Sequence, residues 1–175
     1  MRVLEVIAIF QKAAGTSVFC GEVSNRLNAD SDDVEVVVAV PDTQEPGMYE
    51  IGSGTRLISI DEAINGGEKW DVVHIHGVWS PILHRVVKWA RRSGVPIVWS
   101  PHGMLRRRAL MMKWWKKLVA LVVYQWWDLR KASALHVCSE VERRDLERLH
   151  LGVPFITVPL GVDIKCSASG AARAK

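Results

Sequence analysis

Two histidines one residue apart, His74 and His76, close the run Asp71-Val72-Val73-His74-Ile75-His76. Alternate residues of a strand share a face, so the two rings point the same way. A metal pair needs further ligands, and no carboxylate or third histidine lies close in sequence. Cys20, Cys138 and Cys166 are widely spaced without a CxxC or CxxH pattern, so they read as free or buried thiols and no metal is expected. His76 ends its run and Gly77 follows, which suits either a ligand contact or a structural hydrogen bond. A third imidazole, His102, stands between Pro101 and Gly103. Proline shapes the loop and glycine permits an unusual backbone angle, so His102 is presented where it can hydrogen-bond a hydroxyl or a phosphate oxygen. Gly15 and Thr16 lie in a loop of small residues, Ala13-Ala14-Gly15-Thr16-Ser17, that leads into a helix. Such a loop lets a ligand approach the backbone and offers free N–H groups to an anion. It is also what an ordinary strand-to-helix turn looks like. There is no GxGxxG, which weakens a dinucleotide site.

The elements between these residues must place them. Residues 3–10 are almost continuously apolar, as in a strand buried on both faces. A helix over about 16–28 follows, with Val18, Phe19, Val23 and Leu27 able to share a buried face. Residues 34–40, 56–60, 71–76, 96–100, 134–138 and 155–158 read as further strands. Asp61 is placed to cap a brief helix before Gly66. A helix over 81–93 stops at Gly94. A long helix is expected over about 107–131, with 118–123 apolar all round and therefore buried. Ser139 with Glu142 has the spacing of a capping box and opens a helix to about His150. Strands alternating with helices predict an α/β fold, a Rossmann-like doubly wound, mainly parallel sheet with helices on both faces. Ligands of such sheets bind at the carboxyl ends of the strands. The loops after Phe10, His76, Ser100, Cys138 and Pro159 are where chemistry belongs.

The chain has 175 residues, enough for one domain with a sizeable core. No apolar run reaches the length of a membrane span, and Glu5 interrupts the run that would otherwise resemble a signal peptide. The net charge is +4. It is concentrated: from Arg106 to Lys131 there are eight Lys/Arg and one acid, Asp128. Arg106, Arg107, Arg108, Lys113, Trp114, Trp115, Lys116 and Lys117 mix cations with aromatics, as in helices that lie on an anionic membrane surface. The same mixture would suit nucleic acid on charge alone.

The ordered set of motifs resembles a known family. A small-residue glycine loop after the first strand is followed by DVVHIHGVWSP, SPHGML with a basic-aromatic segment, ALHVCSEVERRDL and VPLGVD. This series resembles the N-terminal domain of the retaining family 4 glycosyltransferases of the GT-B fold, bacterial polysaccharide type, over residues 3–163. The resemblance implies an acceptor-side domain over 1–163 facing a C-terminal donor domain that this chain does not contain, with 164–175 a disordered tail or truncated linker. It implies transfer of a sugar from a nucleotide-sugar to a glycan or lipid-linked acceptor, no metal or other cofactor, and a chain inactive by itself. His102 matches the histidine that faces the transferred sugar and is the catalytic candidate. Gly15, Thr16, His76, Gly77, His102, Gly103 and Arg106 are the substrate-binding candidates, and Arg107 to Lys117 supply membrane or acceptor contact. The location expected is cytoplasmic, peripheral at the inner face of the plasma membrane, with no nucleic-acid partner. Two rival readings are a non-catalytic module that works with a separate partner chain, and a nucleotide-binding Rossmann protein of another class.

Overall fold

A computed structural model of the chain describes residues 1–106 and 119–159. Its strands are β1 (Arg2–Ile7), β2 (Glu35–Val40), β3 (Arg56–Ser59), β4 (Val72–His76), β5 (Ile97–Ser100), β6 (Ala134–Val137) and β7 (Phe155–Thr157). They form one seven-stranded sheet in the order β3-β2-β1-β4-β5-β6-β7. Every neighbouring pair runs parallel. The apolar character of β1 and β2 follows from this position, since inner strands of a parallel sheet are covered on both faces.

The helices are α1 (Gly15–Asp30), α2 (Ile60–Asn65), α3 (Pro81–Arg92), α4 (Trp126–Leu129) and α5 (Glu140–Glu147), with a π-helical turn, Leu121–Gln125, leading into α4. The main core joins Leu4, Val6, Val73, Ile75, Ile97, Trp99 and Leu135 of the sheet to Leu83, Val86, Val87 and Ala90 of α3. A smaller core of Ile7, Phe10, Cys20, Val38 and Val40 sits under α1. The two layers of helix expected from the alternating pattern are both present.

Helix α1 does not bury the face expected of it. Ser17, Cys20, Gly21 and Ser24 are its buried residues, while Val18 and Leu27 are exposed. Small side chains bring the helix close to the sheet, where side-chain-to-backbone bonds replace apolar contact. Ser17 Oγ donates to Ile9 O and accepts from Gln11 N. Asn28 accepts from Val36 N at 2.7 Å and donates to Val36 O at 2.8 Å.

Three other expectations change. Ser59, one turn-start earlier than Asp61, caps α2 by accepting from Glu62 N. Of the segment expected to be buried all round, Val119, Val122 and Val123 are exposed, because the π-helical turn directs Gln125 and Asp128 inward instead. Gln125 accepts from Trp79 N and Asp128 bonds His84 Nδ1, so polar bonds anchor this segment. Ser139 does cap α5 through Glu142 N, yet the Glu142 carboxylate does not return to Ser139. It accepts instead from Gly103 N at 2.6 Å and Cys138 N at 3.0 Å. The first half of the long helix expected over 107–131, with residues Arg107 to Lys117, and the tail from 164 lie outside the described residues.

Candidate functional site

The register of the inner strands assembles a polar stripe on the face that α1 covers. Glu5 pairs with His74, and His76 pairs with Ser100. Val98 pairs with Ala134, which puts His136 on the same face two residues on. Four strands thus carry Glu5, His74, His76, Ser100 and His136 side by side, and the loop after β5 adds His102.

Glu5 is the centre of this stripe and is 3% exposed. One carboxylate oxygen faces His74 Nδ1 at 3.0 Å, and His76 Nε2 donates to the same carboxylate. His76 Nδ1 lies 2.8 Å from His102 Nε2, with the two rings stacked at 15°. On the other side His74 Nε2 meets Ser100 Oγ at 2.7 Å, Ser100 Oγ meets His136 Nδ1 at 2.7 Å, and His136 Nε2 donates to Val158 O at 3.1 Å. Phe19 packs edge-on to His76 and His102 and closes the group from α1.

Burial alone would raise the Glu5 carboxyl, but the adjoining His74 and His76 outweigh it and keep Glu5 ionised. Burial, and then the neighbouring His74, lowers His76 and keeps it neutral. Burial and the neighbouring His76 pull His102 down to about 3. Burial lowers His136 as well. Cys20 is raised by burial and then by the Glu5 charge, so it is an inert thiol.

The two branches end differently. From Glu5 through His76 to His102 there are two links, and two neutral imidazoles supply two N–H groups. The branch from Glu5 through His74, Ser100 and His136 to Val158 O has four links and ends on a backbone carbonyl instead of the cleft.

The cleft beside this group measures about 590 Å³ and is lined by Gly15, Thr16, Phe19, His102, Gly103, Met104, Arg106, Cys138, Ser139 and Glu142. It lies at the carboxyl ends of the strands, where ligands of such sheets bind. The sequence candidates Gly15, Thr16, His102, Gly103 and Arg106 come together here. His76 does not reach the cleft, since its side chain is 1% exposed and its Nδ1 faces His102 Nε2. Gly77 is also withdrawn: its carbonyl accepts from Trp99 Nε1, and its φ of 83° turns the chain out of β4. His102 (φ 51°) and Gly103 (φ 72°) are both left-handed, and the Glu142 bond to Gly103 N holds that turn. Arg106 pairs loosely with Asp145 at 3.4 Å. Glu5 and Glu142 were missed from the sequence. A slightly larger concavity, about 660 Å³, lies between α2 and α3 and includes His84, Arg85, Lys88 and Trp89. It is away from the strand ends and its charged side chains are surface groups, so the smaller cleft is the candidate.

Glu5, His74 and His76 each bring one ligand atom within 4.8 Å of the others. A carboxylate with two imidazoles is a set that zinc accepts. The ring nitrogens that would ligate are the two that bond Glu5, so an ion there would have to replace those bonds.

The fold is that of a Rossmann-like half of the GT-B glycosyltransferases. Residues 12–161 match the family model described as Glycosyl transferase 4-like domain, and the chain belongs to that family. No curated protein matches. Among solved structures, Alr3699/HepE of Anabaena in complex with UDP is similar at 12% identity and TM-score 0.58, over 93% of this chain and 45% of that one. UGT2 of Phytolacca americana, complexed with UDP-2fluoro-glucose and pterostilbene, is similar at 9% identity and TM-score 0.56, over 94% of this chain and 55% of that one. MnaA of S. aureus with UDP is similar at 16% identity and TM-score 0.52, over 85% and 40%. The chain thus spans about half the length of the solved structures it resembles.

Proposed function

We propose that this chain is the acceptor-side half of a glycosyltransferase that moves a sugar from a nucleotide-sugar to a glycan or lipid-linked acceptor. The observation that carries the reading is His102. A buried chain of Glu5 and His76 holds it on a left-handed turn at the cleft mouth, next to the start of α1. In the complete cleft, His102 contacts the reacting sugar, and the Gly15–Thr16 turn approaches the donor diphosphate. Helix-start amides suit an anion there. The solved structures bind UDP or UDP-sugars, which supports a nucleotide-sugar as donor. A second lobe, in the same chain or a partner, supplies the rest of the donor site.

The described end of the basic-aromatic segment supports acceptor capture at a membrane surface. It exposes Val119, Val122, Val123 and Trp127. Among the described residues no helix is long and apolar enough to cross a membrane. The location that fits is peripheral, at the cytoplasmic face. Incubating the 175-residue chain with nucleotide-sugars and lipid-linked acceptors tests the division of labour. Acceptor binding without turnover is expected; turnover by this chain alone would overturn the assignment of transfer to a second lobe.

A further inference from the structure

We propose that Glu5 is a positioning residue that fixes the tautomer of His102 through His76. His102 then offers the cleft a lone pair, and the cleft takes a hydroxyl at that point rather than a phosphate oxygen. The geometry allows one direction of relay. An ionised Glu5 can only accept, so His76 must donate from Nε2. A neutral His76 then has a lone pair at Nδ1. The 2.8 Å contact with His102 requires a hydrogen, which must come from His102 Nε2. A neutral His102 is left with a lone pair at Nδ1, and that atom has no partner among the described residues, while its ring lines the cleft.

A lone pair accepts a hydrogen bond from a hydroxyl. Against the oxygen of a fully esterified phosphate, which carries no hydrogen, it is repelled. Anion contacts in this cleft therefore fall to Arg106 and the start of α1, while His102 reads an O–H group. The ligand half of this inference rests on the proposed function; the tautomer does not. The direction is also sensitive to what sits at Glu5. A divalent cation taking Nε2 of His76 would make His76 donate from Nδ1, reversing the relay and turning His102 Nδ1 into a donor.

The test is nitrogen NMR on histidine-labelled wild-type chain at neutral pH, which needs no activity. The expected result is a hydrogen on His102 Nε2, with a coupling across the hydrogen bond to His76 Nδ1. A hydrogen on His102 Nδ1, or no coupling between the two rings, overturns the proposal, and metal analysis of the same sample shows whether a bound ion is the cause. Glu5→Gln separates positioning from simple packing. A Gln amide can donate or accept, so it no longer dictates that His76 donates from Nε2. His102 should then no longer be held to the single Nε2–H form and should carry hydrogen on Nδ1 as well, while the backbone amide spectrum shows the fold intact. An unchanged His102 in a folded Glu5→Gln chain overturns the role of Glu5; if that variant does not fold, the wild-type coupling decides. Dimethyl phosphate, an anion without a P–OH group, should leave the His102 Nδ1 signal in place, and a shift there on adding it overturns the hydroxyl assignment even if the tautomer stands. Failure of sugar transfer in any longer form of the protein would bear on the proposed function and leave these spectra untouched.

Discussion

Glu5 stands in a strand whose other core-facing residues are apolar, and it is buried with both oxygens engaged. In the sequence it only breaks an apolar run. Its partner His74 is 69 residues away, and the parallel register makes them neighbours. The acid behaviour of the protein follows from this group. His76, His102 and His136 all have folded values below the free 6.5, and Glu5 lies below its usual 4.5. In each case the folded state binds fewer protons than the unfolded one between the two values. The stability they contribute is full above pH 6.5 and is lost as pH falls toward about 3, the value for His102. Urea unfolding across this range should show stability falling as soon as pH drops below 6.5, ahead of the carboxylate range. A flat profile down to pH 4.5 would contradict neutral burial of these rings.

At the scale of elements, the turn from β5 and the start of α5 are tied together. Glu142 has the spacing of a capping box, and the sequence shows that much. Its carboxylate instead bridges Gly103 N, in the turn after β5, and Cys138 N, just past β6, and so ties the ends of two adjacent strands together. The left-handed angle of Gly103 is part of the same device. Replacing Gly103 with Ala puts a Cβ 3.5 Å from the Arg106 side chain, an ordinary contact, so the penalty is conformational. Forcing Ala into this region costs about 1 kcal/mol. Thermal or urea unfolding of Gly103→Ala should show a loss of that size, together with a changed His102 environment in the NMR spectrum. An unchanged His102 would mean that the turn does not depend on glycine. Helix α1 gives the opposite lesson. Apolar periodicity pointed to Val18 and Leu27, but Ser17 bonds Ile9 O just past β1 and Asn28 bonds Val36 of β2, and those bonds fix which side faces inward, while Ser24 bonds back to Cys20 O within the helix.

For the molecule as a whole, one edge of the chemistry is exposed to its surroundings. Cations and tryptophans run from Arg106 to Lys131, and Val119, Val122, Val123 and Trp127 stand open at the described end. Vesicles containing anionic lipid should bind the chain, with binding weakened as salt rises. Trp127→Ala should reduce binding, since Trp127 is exposed and its loss removes apolar contact without touching the cleft. Equal binding to neutral and anionic vesicles would remove the electrostatic part of the membrane reading.

The sequence by itself determined the architecture and the position of the cleft. Apolar runs, alternation of strand and helix, and Pro101-His102-Gly103 at a strand end are local signals, and the parallel sheet and the left-handed turn agree with them. The ordered motifs also pointed to the family that residues 12–161 match. Only the tertiary structure decided which residues stand behind His102. Glu5, His76 and Glu142 reach the site through strand register and the meeting of chain ends far apart in sequence, and no periodicity within one element encodes such a meeting. The reason is physical. Burial patterns are set residue by residue through transfer from water, whereas the partner of a buried polar group is set by which strand lies next to it.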